Sequence, residues 1–303
     1  MKTRSAPNLA DGKRVSFSNL DKPLYPDGFT KGQVINYYRR IAPIMLPHLR
    51  GRAITLKRYP NGSDEPFFFE KNCPAHRPAW MKTASMKGRH GATHHCLIED
   101  EPSLLWAANL ASLEIHVPLA LANEPNRPRT MVFDLDPGPD RSVLDCARLA
   151  LRLRDVLQRL GLESHAKSSG GKGIHVYVPL NTPDITFDDD TKPFARALAL
   201  VFERQNPDEV VSNMTRSLRH GKILIDWSQN DQHKTTVCAY SLRARPIPTV
   251  SMPMSWMEIE RNLKREDVDG FFMTADQVLK RVKRTGDLFD PVNEMKQALP
   301  RLG

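Results

Sequence analysis

Asp134 and Asp136 stand two apart in the run Met131-Val132-Phe133-Asp134-Leu135-Asp136. On a strand, residues two apart project to the same face. The two carboxylates therefore point out together while Phe133 and Leu135 turn into a core. Adjacent carboxylates repel, and a hard divalent cation such as Mg²⁺ or Mn²⁺ relieves that repulsion through oxygen ligands. A second β-prone run, Ile223-Leu224-Ile225-Asp226-Trp227, supplies a third carboxylate, Asp226. Three carboxylates are a donor set for two-metal, in-line phosphoryl transfer. Between the two runs lies Ser168-Ser169-Gly170-Gly171-Lys172-Gly173-Ile174-His175. Its flexible amides, cation and imidazole suit a triphosphate, although it lacks the spacing of a Walker loop. Singly, an Asp-x-Asp strand end is most often solvated acid, and a glycine turn is most often a plain hairpin. The reading rests on the three pieces together.

Strands must hold these groups, and the pattern predicts them. The second half reads as a strand over 131–136, a helix over 142–160 closed by Gly161, a strand over 163–167, the glycine loop, and a strand over 174–179. Asp188-Asp189-Asp190 reads as the acidic start of a helix over 193–202 rather than as a metal site. The Asp226 strand is followed by one over 235–242 and a Pro-rich connector over 246–253. Thr274-x-x-Gln277 opens a last helix that stops at Gly286. In the first half, Thr30 and Gln33 form a capping-box signal for a helix with Val34, Ile35, Tyr38 and Ile41 on its apolar face. Pro43 and Pro47 are expected to limit it. Strands are expected over 53–59, 66–70 and 113–117, a helix over 103–109, and loop over 72–95. Residues 1–14 are polar and expected to be loose.

At 303 residues the chain can bury a sizeable core, and its composition is that of a globular protein. A net charge of +9 suits a polyanionic partner, without deciding for one. No stretch reads as a membrane span or an apolar signal region. Cys73, Cys96, Cys146 and Cys238 show no paired framework, so reduced thiols are expected. Cys73-x-x-His76 with His90, His94, His95 and Cys96 has some ligand-like spacing, but zinc is not expected.

Further motifs sharpen the reading. Phe67-Phe68-Phe69-Glu70-Lys71-Asn72, Trp106-Ala107-Ala108-Asn109, Glu114-Ile115-His116, Phe133-Asp134-Leu135-Asp136-Pro137-Gly138, Asp226-Trp227-Ser228-Gln229-Asn230 and Tyr240-Ser241-Leu242-Arg243-Ala244-Arg245 occur in that order. With the glycine loop they resemble the archaeo-eukaryotic primase superfamily, and within it the polymerase domain of bacterial ligase D. The resemblance covers roughly residues 10–300. It implies an α+β, primase-like fold in one catalytic domain over 15–300. An N-terminal α/β lobe (about 15–125) would pack with an RRM-like catalytic sheet (about 126–250), followed by a helical segment (about 255–300).

The resemblance also implies roles. Asp134, Asp136 and Asp226 would be the metal ligands and catalytic carboxylates, for two Mn²⁺ or Mg²⁺ ions with Mn²⁺ favoured. Ser169, Lys172, His175, Arg243 and His116 would contact the incoming nucleotide, with Gln229 in the same motif. Phe69 would stack on bases, with Phe68 secondary, and Lys57 and Arg58 would meet the template strand. Lys22 and Lys31 would hold a downstream 5′-phosphate. A place at a helix N-terminus favours phosphate at Lys31. The implied activity is a nucleotidyltransferase that adds nucleotides, ribonucleotides readily, to DNA ends, gaps and primer–templates in non-homologous end joining. NTP and dNTP would be substrates, Ku and a DNA ligase partners, and the bacterial cytoplasm and nucleoid its place. A de novo primase and a non-catalytic end-binding scaffold are the alternatives.

Overall fold

The computed structural model describes residues 4–5, 12–88 and 91–300. The contacts divide the chain into two units. Unit 1 comprises Met1–Pro118, Val237–Ser251 and Thr274–Gly286, and unit 2 comprises Leu119–Thr236, Met252–Met273 and Asp287–Gly303. Both are discontinuous, whereas the sequence reading drew its lobes as continuous stretches.

Unit 1 begins with a short pair, β1 (Arg4–Ser5) on β2 (Ser16–Phe17). Two residues of the tail expected to be loose therefore form a strand, and most of that tail lies outside the described residues. Helix α1 (Lys31–Met45) starts at the expected box: Thr30 Oγ1 accepts from the Gln33 amide and Gln33 Oε1 accepts from the Thr30 amide. It runs through Pro43 rather than stopping there. The proline forfeits one helical hydrogen bond, but Ile41, Ala42 and Met45 are buried around it and hold the last turn. Strands β3 (Thr55–Arg58) and β4 (Phe68–Glu70) form as expected.

Strands β5 (Thr83–Gly88) and β6 (Gly91–Cys96) make a hairpin in the stretch read as loop. The two strands are built largely of small and polar residues on both faces, so no apolar alternation announces them. A disulfide joins Cys73 to Cys96, which corrects the expectation of four reduced thiols; Cys146 and Cys238 are free and buried. The bridge also takes two sulfurs out of the zinc-like spacing, and His90 of that set lies outside the described residues. Helix α2 (Glu101–Asn109) and strand β7 (Ser112–Val117) complete the first pass through unit 1. β7 pairs with β3, and β3 with β4, so β4 is an edge strand.

Unit 2 is built on β8 (Thr130–Pro137), where Met131, Val132, Phe133 and Leu135 are wholly buried. Then follow α3 (Val143–Arg159), with its Ser142–Asp145 capping box, β9 (His165–Ser168), β10 (Ile174–Pro179), α4 (Lys192–Gln205), β11 (Val210–Val211) and β12 (Ile223–Asp226). Thr186 Oγ1 caps the acidic turn before α4 by accepting from the Asp189 amide, so those aspartates serve the helix start as expected.

The strand expected over 235–242 shrinks to β13 (Thr236–Val237). Tyr240 sits in the left-handed region at φ 66°, which no continuous strand tolerates. β14 (Pro253–Met254) adds a sixth strand to the sheet of unit 2, whose order is β11-β12-β8-β10-β9-β14. Helix α5 (Trp256–Lys264) belongs to unit 2. Helix α6 (Ala275–Thr285) returns to unit 1, capped by Thr274 and Gln277 and closed by Gly286 at φ 65°. Among the described residues no helix is long and apolar enough to cross a membrane.

Candidate active site

In unit 2 the antiparallel register sets Asp226 of β12 directly opposite Asp134 of β8, and His175 of β10 opposite Asp134 on its other side. Opposed residues share a sheet face, and Asp136 joins that face two positions along. His175 Nε2 lies 3.1 Å from Asp134 Oδ1. Repulsion from Asp134, burial and the Asp226 charge push the Asp136 carboxyl up to about 7, against the pull of His175 and Arg219. Asp226 is itself steered. Its Oδ1 accepts from the Ser228 amide and hydroxyl, and its Oδ2 accepts from the Gln229 amide group at 2.9 Å. Among the described residues no three acidic, His or Cys side chains form a closed metal cluster; the sheet register brings the aspartates together against their mutual repulsion. An all-oxygen donor set whose mutual repulsion, with burial, raises one carboxyl to about 7 fits hard divalent ions.

The glycine loop lies against this row. A side chain at Gly173 would collide with the Leu135 carbonyl and come against Asp136 Oδ1, so the loop approaches β8 as closely as backbone can. The Ser169 hydroxyl accepts from the Gly171 and Gly173 amides, and Ser169 is buried. Its side chain folds the loop. Lys172 is exposed at the tip.

Two further residues of unit 2 escaped the sequence reading. Asn230 is fully buried and bonds both polar groups of Val132's backbone, tying the chain after β12 to β8. Lys167 is fully buried opposite His175, with Nζ 5.7 Å from the centre of the Tyr177 ring. A signal for each was present: Asn230 ends a quoted motif, and Lys167 is a charge inside an apolar strand.

Unit 1 gathers a second set around Glu114. This carboxylate is 2% exposed and accepts from His116 Nε2 at 2.9 Å. Arg243 Nε lies 3.3 Å from it and Lys57 Nζ 3.6 Å. Burial alone would raise its pKa; the His116 hydrogen bond and the Arg243 and Lys57 charges outweigh it and bring the group down to about 2. Burial lowers His116, which Glu114 partly offsets. Glu114 is thus the hub that fixes His116 and Arg243, expected at the nucleotide, and Lys57, expected at the template strand. Only its place two before His116, on the same strand face, could have shown this.

Lys57 is also opposite Phe69 in the β3–β4 register. Phe67, Phe68 and Phe69 are 49%, 44% and 53% exposed. Phe69 meets His116 edge-on at 5.8 Å, whereas Phe68 is on the other face beside Arg58, which is 5.1 Å from its ring centre.

A cavity of about 530 Å³ also opens in unit 1, lined by Lys22, Lys31, Arg58, Arg14, His76 and Trp106 among others. Burial first, then the charges of Lys22 and Arg58, lower Lys31 to about 8. The α1 N-terminus does not provide the phosphate site expected at Lys31. The Lys31 and Gly32 amides donate to the Lys22 and Leu20 carbonyls, and those of Gln33 and Val34 to Thr30. The α1 amides are spent, so an anion in this cavity would meet cationic side chains.

Residues 30–289 match the family model of the LigD primase-polymerase domain. The chain belongs to this family. As a LigD primase-polymerase domain it is 39% identical over 302 residues to the multifunctional non-homologous end joining DNA repair protein LigD of Mycobacterium tuberculosis H37Rv, covering 97% of this chain and 39% of that protein. It is 32% identical over 274 residues to the bifunctional non-homologous end joining protein LigD of Bacillus subtilis, covering 90% of this chain and 43% of the relative. The chain thus spans about two fifths of the length of these relatives. The polymerase domain from M. tuberculosis ligase D in complex with DNA superposes with a TM-score of 0.84 at 38% identity, covering 94% of this chain and 99% of that one. The α+β primase-like fold expected from the motifs is therefore the fold of this LigD domain.

Within the LigD primase-polymerase domain, the expected residues fall into separate groups. Asp134, Asp136, Asp226, His175, Ser169, Lys172 and Gln229 belong to unit 2. His116, Arg243, Phe69, Phe68, Lys57, Arg58, Lys22 and Lys31 belong to unit 1.

Proposed function

We propose that this chain is a nucleotidyltransferase that adds ribo- or deoxyribonucleotides to DNA 3′ ends, by templated gap filling and terminal addition, in non-homologous end joining. The observation that carries the proposal is the row of Asp226, Asp134 and His175 across three strands, with Asp136 beside the glycine loop. Asp134, Asp136 and Asp226 would hold two Mn²⁺ or Mg²⁺ ions, which when bound supply Lewis-acid stabilisation to an attacking hydroxyl and a leaving pyrophosphate. Gln229 and Ser228 orient Asp226, and His175 orients Asp134. Ser169 shapes the loop whose amides and Lys172 would meet the triphosphate.

In unit 1, Glu114 would fix His116 and Arg243 for the nucleotide and Lys57 for nucleic acid. Phe69 and Phe68 would stack on bases, with Arg58 toward the template. Lys22 and Lys31 would take a downstream 5′-phosphate. DNA ends, gaps and primer–templates are the proposed substrates with NTP or dNTP, and Ku and a DNA ligase the proposed partners. This proposal is supported by family membership and by the DNA complex of the similar mycobacterial domain.

The test is to incubate the protein with labelled gapped primer–template, one NTP and Mn²⁺. Primer extension is the expected result. Dinucleotide synthesis without primer would favour a de novo primase, and binding without extension would favour a scaffold.

A further inference from the structure

Phe67 lies outside the nucleotide and template residues named above, yet its surroundings are those of a binding surface. It precedes the edge strand β4 and shares a face with Phe69, its ring centre 5.8 Å away and the two planes at 88°. Tyr59 lies 5.2 Å from it, tilted by 37°. Lys57 Nζ sits 4.1 Å from its ring centre, covering one face with a cation. The ring is still 49% exposed. Tyr59, Phe67, Phe69 and His116 thus make a continuous aromatic strip on one face of the unit 1 sheet.

Burial does not explain two half-exposed rings at the sheet edge, one on β4 and one just before it, because neither fills a core. The charge on the strip's own face selects a polyanion: Lys57 and Arg243 stand there against Glu114. Aromatic rings interleaved with cations are the equipment of single-strand nucleic-acid binding, since every base offers a π-face while the cations meet the backbone.

We propose that Phe67 is a base-stacking subsite additional to those of Phe69 and Phe68, which takes an unpaired nucleobase next to the one on Phe69 in a single-stranded overhang or gap. This rests on the polymerase reading above. The two rings are perpendicular, so they cannot serve two bases stacked on each other. The strand must turn by about a right angle between them, and one base leaves the stack. Lys57, between the rings, faces the phosphate at that turn. The subsite accepts any base and discriminates single-stranded from fully paired substrate.

The test uses the full chain with Phe67→Ala, Phe67→Trp and Phe69→Ala, each checked by thermal unfolding. The DNA carries 2-aminopurine, whose fluorescence reports stacking, at the first or second unpaired template position. Phe67→Ala should weaken binding of DNA with a two-base or longer single-stranded stretch by roughly five-fold or more. It should alter fluorescence at the second unpaired position and leave fully duplex DNA unaffected. Phe67→Trp should restore both signals. Unchanged affinity and fluorescence in Phe67→Ala, with Phe69→Ala impaired, would overturn the subsite while leaving the polymerase reading intact. Failure of both variants to change anything would sink the nucleic-acid reading of the whole strip. Equal loss on duplex and single-stranded DNA would reassign Phe67 to general adhesion and also overturn the proposal.

Discussion

At the scale of residues, the two carboxylates of β8 show how charge placement sets chemistry. The Asp136 carboxyl is raised to about 7 because Asp134 and burial both oppose its ionisation. Its folded pKa exceeds its unfolded one. Its contribution to stability is therefore full below about pH 4 and is lost as pH rises through about 7. A divalent ion held by these aspartates would reverse that loss, since it would bind the ionised carboxylate. Mn²⁺ should bind more tightly at pH 8 than at pH 6 and release protons on binding near neutrality. Its thermal stabilisation should grow over the same interval. Calorimetry in two buffers of different ionisation enthalpy measures the release, and a pH-independent affinity with no proton release would refute the assignment. The Asp-x-Asp spacing was legible because strand geometry forces the two side chains to one face. The hub role of Glu114 was not, because it depends on Arg243, which lies over a hundred residues away in sequence.

At the scale of elements, the strands that carry the aspartates were legible from their uninterrupted apolar runs, as was the 174–179 strand to its ends. The capping residues Thr30, Ser142 and Thr274 marked helix starts correctly. The β5–β6 hairpin was hidden because neither face is apolar enough to read. It is secured by the Cys73–Cys96 bridge and by main-chain bonds such as Cys73 N–H to the His94 carbonyl. A bridge spanning 23 residues contributes roughly 3 kcal/mol by restricting the unfolded chain. Reduction should thus lower the unfolding midpoint by a few degrees. Cys73→Ser should do the same without reductant, and reductant should then add nothing. Melting curves with and without dithiothreitol measure this; identical curves for the wild type would mean that the two sulfurs are not joined in solution.

At the scale of the whole molecule, a net charge of +9 suited a polyanionic partner without deciding for one, and did not say where it would sit. The division into discontinuous units could not be read, because the segments Val237–Ser251 and Thr274–Gly286 join unit 1 through tertiary packing that sequence order conceals. The cationic cavity of unit 1 yields the prediction that belongs to this scale. A gap bearing a 5′-phosphate should bind several-fold more tightly than the same gap ending in hydroxyl. That preference should fade with salt, because a phosphate held by cations is exchanged for counterions. It should also fade as pH rises through about 8, where Lys31 gives up the charge that holds the anion. Titration of the two gaps by fluorescence anisotropy over pH and salt is the check. Lys31→Ala should abolish the preference, and equal affinity for both gaps at low salt would contradict the phosphate role.

The central claim is that the Asp134, Asp136 and Asp226 row performs nucleotidyl transfer. The most direct measurement is single-turnover insertion of one nucleotide into a gapped template with Mn²⁺, comparing the wild type with Asp136→Ala beside a DNA-binding titration of both. Phosphate contacts by lysines and arginines dominate affinity. The variant should therefore bind DNA within a few-fold of the wild type while its insertion rate falls by a factor of about 10³ or more, a loss of about 4 kcal/mol of transition-state stabilisation. Insertion by Asp136→Ala at near wild-type rate would contradict the account.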